Sequence, residues 1–194
     1  LGTFPVLYTL AMKYTMDREN VQHLLPEKGD LIALKLTLQD VVRTAVVAAL
    51  AVGIQALNLS QMITGPAINA ILYIASIFIG PISGLMVGLV TPWVALLTGI
   101  MQLVPAVPVI MVGNAVLCLV AGYLDRFNRY LAMGLAAVCK FIAMTVGIKI
   151  LIGRGTNVPG PVYSVLTINQ LVTALLGAVL ASIVLVALEA IEGK

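Results

Sequence analysis

The sequence predicts an all-α integral membrane protein: a bundle of six transmembrane helices with the N and C termini cytoplasmic. Three observations predict it. Of 194 residues, 61% are hydrophobic and only 10% are charged, and the mean hydropathy is +1.09. A soluble domain carries roughly 25% charged residues, so polar side chains are too few here to cover a water-facing globule. The apolar residues come in long runs rather than in alternation, which selects helices over the closed barrels that are the other solution in lipid. Lys and Arg are also unevenly distributed. Lys13, Arg18, Lys28, Lys35 and Arg43 precede or open the first run, Arg126 and Arg129 sit between the fourth and fifth, and Arg154 alone lies on the other side. That bias puts both termini and the DRFNR loop in the cytoplasm.

Residues 1–35 stand apart from the six-helix region, 36–194. LGTFPVLYTLAMKYTM is moderately apolar and DRENVQHLLPEKGD is charged and polar. The expectation is a polar or interfacial extension, with a loosely attached tail or a cut seventh span as alternatives. LGTFPVLYTLAM has no basic stretch before it and no clear cleavage site after it, so it is not read as a signal peptide.

A span needs about 20 apolar residues. The first runs over 41–59. The second, 66–80, is short and is expected to start earlier or to tilt. The third covers 82–103 and contains Pro92. The fourth is 107–124, the fifth 130–152 and the sixth 168–190. Breaker chemistry marks every junction: NLSQMITGP, GP, LVPAVP, DRFNR and GRGTNVPGP. On this topology the loops 58–65, 104–107 and 153–167 face outward.

Lys140 is the most informative residue. It lies within the fifth apolar run, about 15 Å from its start at about 1.5 Å per residue, too deep for its stem to reach the interface. A charge at that depth costs about 2.5–3.5 kcal/mol on insertion scales. It is expected to face the bundle interior, and no acidic residue deep within a span is available to pair with it, Glu189 lying at the very end of the sixth. Either carbonyls and Asn side chains satisfy it, or it meets an anionic or strongly polar solute. Lys149, near the end of the same run, is explained by snorkelling. Asn69, Asn114 and Asn169 each lie in the outer part of a span, as Trp93 and Gln102 do in the third. Interhelical glue accounts for amides in lipid, but a shared depth points to a pocket. In that reading Lys140 makes the charge contact, Asn69, Asn114 and Asn169 orient the solute, and Tyr163, Asn157 and Thr64 close the mouth.

Two small-residue ladders stand out, Ala45–Ala49–Gly53 and Gly80–Gly84–Gly88. Residues of this size and spacing let helices approach closely. The glycine ladder is assigned to packing within the bundle. The alanine ladder is open to docking of another membrane protein. Cys118 and Cys139 have no metal or CxxC spacing and read as reduced core residues. GPISG has the setting of a serine nucleophile, but the one histidine, His23, lies in the polar N-terminal segment, so Ser83 has no visible base. No span holds paired carboxylates for a proton relay or a metal. There is no GxxxxGK[ST] for ATP. No cofactor and no nucleic-acid partner is expected, and the lipid bilayer is the surrounding solvent. A self-sufficient secondary transporter and an intramembrane enzyme remain as alternatives to a capture protein.

The stretch ITGPAINAILYIASIFIGPISGLMVGLVTPWVALLTGI, followed by PVIMVGNAVLCLVAGYL and AAVCKFIAM, resembles the substrate-binding S component of energy-coupling factor (ECF) transporters. The likeness covers residues 36–190. It implies a six-helix protein of the prokaryotic cell membrane that captures a vitamin or similar micronutrient from outside. Its partners would be a transmembrane coupling (T) protein and two cytoplasmic ATPases. The family's Ala-x-x-x-Ala docking element is matched by Ala45 and Ala49, with Gly53 extending the ladder. The resemblance further implies a pocket in the outer half of the bundle and a toppling movement that releases solute inward.

Overall fold

A computed structural model describes residues 37–101 and 103–192. The expectation for residues 1–35 therefore lies outside the described residues, as do His23 and Gln102.

Helix α1 (Leu38–Ala56) starts ahead of the apolar run because TLQD forms a capping box. The Asp40 N–H donates to Thr37 Oγ1 at 3.2 Å, and the Thr37 N–H donates to Asp40 Oδ2 at 3.0 Å, which satisfies two of the donors a helix start leaves open. Asn58, with φ 48°, follows its end, a conformation Asn tolerates better than most residues. Helix α2 (Gln61–Ile74) runs on into a π-helical turn, Ala75–Ile79. The second span thus begins earlier than its apolar run, as its shortness required.

Gly80 then adopts φ 150°, a backbone region that only glycine enters cheaply. Pro81 opens helix α3 (Pro81–Leu97), at the one position where its missing N–H costs nothing. The expected third span, 82–103, overruns this helix. Gly99 takes φ 76° and turns its N–H back to Leu96 O at 3.1 Å, so the chain breaks where apolar composition alone reads as continuous. A 3-10 turn, Val104–Ala106, leads into α4 (Val107–Leu124). Helix α5 (Arg129–Gly153) is capped by Asn128, whose Oδ1 accepts from the Leu131 N–H at 3.1 Å. The expected loop 153–167 contains a short helix, α6 (Gly160–Leu166), with Pro161 in its first turn. Helix α7 (Ile168–Glu192) completes the bundle.

Among the described residues, five stretches are long and apolar enough to cross a membrane: Leu38–Ala56, Gln61–Ile79, Val104–Leu124, Arg129–Gly153 and Gly160–Ile191. The shorter α3 is apolar as well. Helix α4 packs most extensively on α5 and α3, and α2 on α7. The main core gathers Leu72, Tyr73, Leu117, Met133 and Leu185, with the Tyr73 hydroxyl donating to Met133 O at 3.0 Å. A second apolar cluster forms around Ala106, Met144, Ile148 and Leu166. At the DRFNR end, Arg129 ties its own loop to α7, reaching Asp125 at 2.9 Å and Glu189 at 2.7 Å.

The glycine ladder is internal at two of its three positions; at Gly80 a Cβ would meet nothing within 4 Å. Gly84 lies against Ser76, and a Cβ on Gly88 would fall 3.1 Å from the Asn114 Cβ. The alanine ladder is not. Helix α1 touches the bundle along one stripe, Thr44, Ala51 and Gln55, while Ala45, Ala49 and Gly53 are exposed on it. Both cysteines are free, Cys118 buried and Cys139 half-buried.

Candidate functional site

Lys140 sits near the middle of α5 and is 2% exposed. Its ammonium donates to Asn69 Oδ1 at 2.7 Å and to Asn114 Oδ1 at 2.8 Å. An ammonium only donates, so it dictates which end of each amide faces it. The two amide nitrogens are thereby turned outward and are spent on protein acceptors. Asn69 Nδ2 donates to Gly65 O at 3.0 Å and Thr173 Oγ1 at 3.3 Å. Asn114 Nδ2 donates to Gly88 O at 3.0 Å and Thr91 Oγ1 at 3.3 Å. Among the described residues no carboxylate lies within ion-pair reach of Lys140.

The chain of bonds continues to Gln55, whose Nε2 donates to Thr91 O at 3.1 Å. Gln55 on α1, Thr91 on α3, Asn114 on α4, Lys140 on α5, Asn69 on α2 and Thr173 on α7 thus form one polar network, with one member from each long helix. Such networks over-determine their geometry, because each group fixes the next.

Two sequence features make the network fit. Pro92 has no N–H, so the Gly88 carbonyl loses its helical donor; Asn114 and the Thr91 hydroxyl supply bonds to it instead. Glycines on neighbouring helices admit each polar side chain. Gly177 faces Asn69, Gly88 faces Asn114, and Gly113 lies against Met144 and the Lys140 stem. A larger residue at any of the three would push the helices apart.

The network borders a cavity of about 740 Å³. Lys140, Asn69 and Asn114 line it at mid-bundle, and Asn58, Gln61, Gly99, Met101, Asn157 and Pro161 line it where the α1–α2, α3–α4 and α5–α6 connections meet. These are the connections that the charge distribution assigns to the exterior. Of the residues expected at the site, Lys140, Asn69, Asn114, Thr64 and Asn157 line the cavity. Thr64 is also engaged locally, donating to Leu59 O at 3.1 Å. Asn169 and Tyr163 do not line it. Tyr163 packs on the second apolar cluster, and on α7 the amide that reaches the cavity is Gln170, one residue further round the helix. Gln55, Thr91 and Gln170 line the cavity without having been anticipated.

The fold and this chamber define a multi-pass helical membrane protein with a polar, singly cationic site in its interior. The family model for the substrate-specific component of ECF transporters matches residues 39–189, and the chain belongs to that family. It is a component of a transporter and not an enzyme. Such components bind small solutes and work with a T protein and ATPases. No curated protein and no solved structure gives a significant match.

Because Pro92 frees a carbonyl for Asn114, Pro92→Ala is expected to return that carbonyl to the helix. Solute affinity should fall roughly threefold to tenfold while the thermal midpoint holds or rises, since an interior proline costs a helix about 3 kcal/mol. Binding and thermal-unfolding assays on the same detergent sample check both.

Proposed function

We propose that this chain is the capture subunit of an ATP-driven ECF-type importer for a vitamin or similar micronutrient. It crosses the prokaryotic cell membrane six times, with both termini cytoplasmic and the cavity open to the exterior. The observation that carries the reading is a buried ammonium, held on two amide oxygens, at the wall of a 740 Å³ cavity. Neutral amides orient the charge without neutralising it, so an anionic solute completes the site. Asn69 and Asn114 act through Lys140: their N–H groups are committed elsewhere. Lys140 contacts the solute directly, and Thr64 and Asn157 border the mouth.

The exposed stripe Ala45–Ala49–Gly53 is the docking face for the coupling protein. A Cβ on Gly53 would meet nothing within 4 Å, so a partner helix can lie close there. The T protein and two ATPases then supply the energy that the chain, lacking any nucleotide motif, does not.

Ala49→Trp separates the two surfaces. Solute affinity in detergent should stay within about twofold, because the residue faces away from the cavity, while uptake by cells expressing the full transporter falls at least about tenfold through loss of close helix contact. Uptake that survives the Trp, or that persists without the ATPases, would sink the coupled-importer reading in favour of a self-sufficient carrier.

A further inference from the structure

We infer that the solute is an aliphatic monoanion: a carboxylate on a non-aromatic body. This rests on the capture reading above and narrows it.

The charge argument comes first. Lys140 is the one charged residue among the described residues lining the cavity. Two of its three N–H groups are used on Asn69 and Asn114, which leaves one for the solute. A carboxylate matches one charge and one donor. A phosphate monoester carries close to two negative charges at neutral pH. It would leave one uncompensated in a low-dielectric chamber, where unpaired charge is most costly. The N–H groups of Asn69 and Asn114, the two amides bonded to the ammonium, are engaged by protein oxygens and so are not offered to further oxyanions beside it.

The walls supply the second argument. None of the described lining residues is aromatic or histidine. The apolar surface comes from aliphatic residues such as Leu59, Ile68, Ile100, Met101 and Ile110. The nearby rings are turned elsewhere: Trp93 is half exposed on the outside of α3, Tyr73 is buried on Met133 O, and Tyr163 packs on the second cluster. Flat heteroaromatic solutes gain most from ring faces, and this chamber has none to give. Branched aliphatic walls suit a saturated body instead.

The test is equilibrium binding to the full chain in mild detergent, alongside mass spectrometry of any small molecule it releases. The probes are pantothenate (acyclic, with hydroxyls and an amide), biotin (saturated rings, with ureido N–H groups), nicotinate, riboflavin, panthenol and phosphopantothenate. Pantothenate or biotin is expected to bind at least about 30-fold more tightly than nicotinate, riboflavin and phosphopantothenate, a difference of about 2 kcal/mol. Panthenol, which lacks the carboxylate, should fall in the weak group. Tighter binding of an aromatic or phosphorylated probe, lost in Lys140→Met, overturns this inference and keeps the capture reading. Failure of every probe, with a released solute that is aromatic or neutral, does the same. Failure of every probe with nothing released overturns both.

Discussion

Lys140→Met is expected to reduce solute binding by about 10-fold to 150-fold, the loss of one hydrogen bond to a charged group at about 1.5–3 kcal/mol. Met keeps the length and flexibility of the stem, so the packing against Gly113 and Met144 survives. The effect on stability should be smaller, because two terms oppose. The variant leaves Asn69 Oδ1 and Asn114 Oδ1 without the donor they now share. It also removes a cation whose burial in a membrane costs about 2.5–3.5 kcal/mol. Isothermal titration with the co-purified solute, run beside a thermal melt, separates the two quantities. Unchanged affinity would show that the ammonium is purely structural, and the site would then need another anchor. Lys140→Arg is not a rescue: the guanidinium is broader and would meet two amide oxygens placed for a compact ammonium.

Gly177→Ala is expected to be strongly destabilising for the addition of a single methyl group. A Cβ at that position would fall 2.7 Å from the Asn69 Cβ, 2.9 Å from the Ala70 nitrogen and 2.9 Å from the Pro66 oxygen. Two of the three are backbone atoms, so no side-chain rotation relieves the overlap. Helices α2 and α7 must separate, at a cost of roughly 1–3 kcal/mol, or roughly 2–12 °C in thermal midpoint for a chain of this size. Because Asn69 moves with α2, affinity for the solute falls too. Gly134→Ala is the control. Its Cβ would meet nothing within 4 Å, and there the usual preference of helices for Ala over Gly makes the change neutral or stabilising. Equal melting losses in the two variants would remove the close α2–α7 approach from the account.

Lys140, Asn69 and Asn114 were legible together because each is conspicuous against an apolar background and all three lie at one depth. Depth does not give rotation, however. Asn169 and Gln170 share a depth but differ by about 100° around a helix of 3.6 residues per turn, and only Gln170 lines the cavity. Gln55 was hidden for a different reason: it stands three residues before the NLSQ turn, where a polar side chain reads as the approach to a loop. Thr91 is invisible because Thr satisfies itself on its own helix in most spans. The clue to Thr91 was Pro92, whose freed Gly88 carbonyl takes bonds from the Thr91 hydroxyl and from Asn114. The early stop of α3 was missed because LTGIMQLV reads as apolar throughout. The decisive residue is Gly99, and hydropathy gives a glycine no weight.

That early stop has a consequence for the surrounding lipid. Helix α3 has 17 residues, about 25 Å at about 1.5 Å each, against a hydrocarbon layer of about 30 Å. Met86, Val90, Trp93 and Leu97 are exposed along one strip of it, so acyl chains border this flank directly. They must shorten or tilt to meet it, while the longer α5 and α7 impose no such demand on theirs. The mismatch cost, fractions of a kcal/mol per Å, therefore falls on one flank of the molecule, where the annulus is expected to be thinner than around α5 and α7.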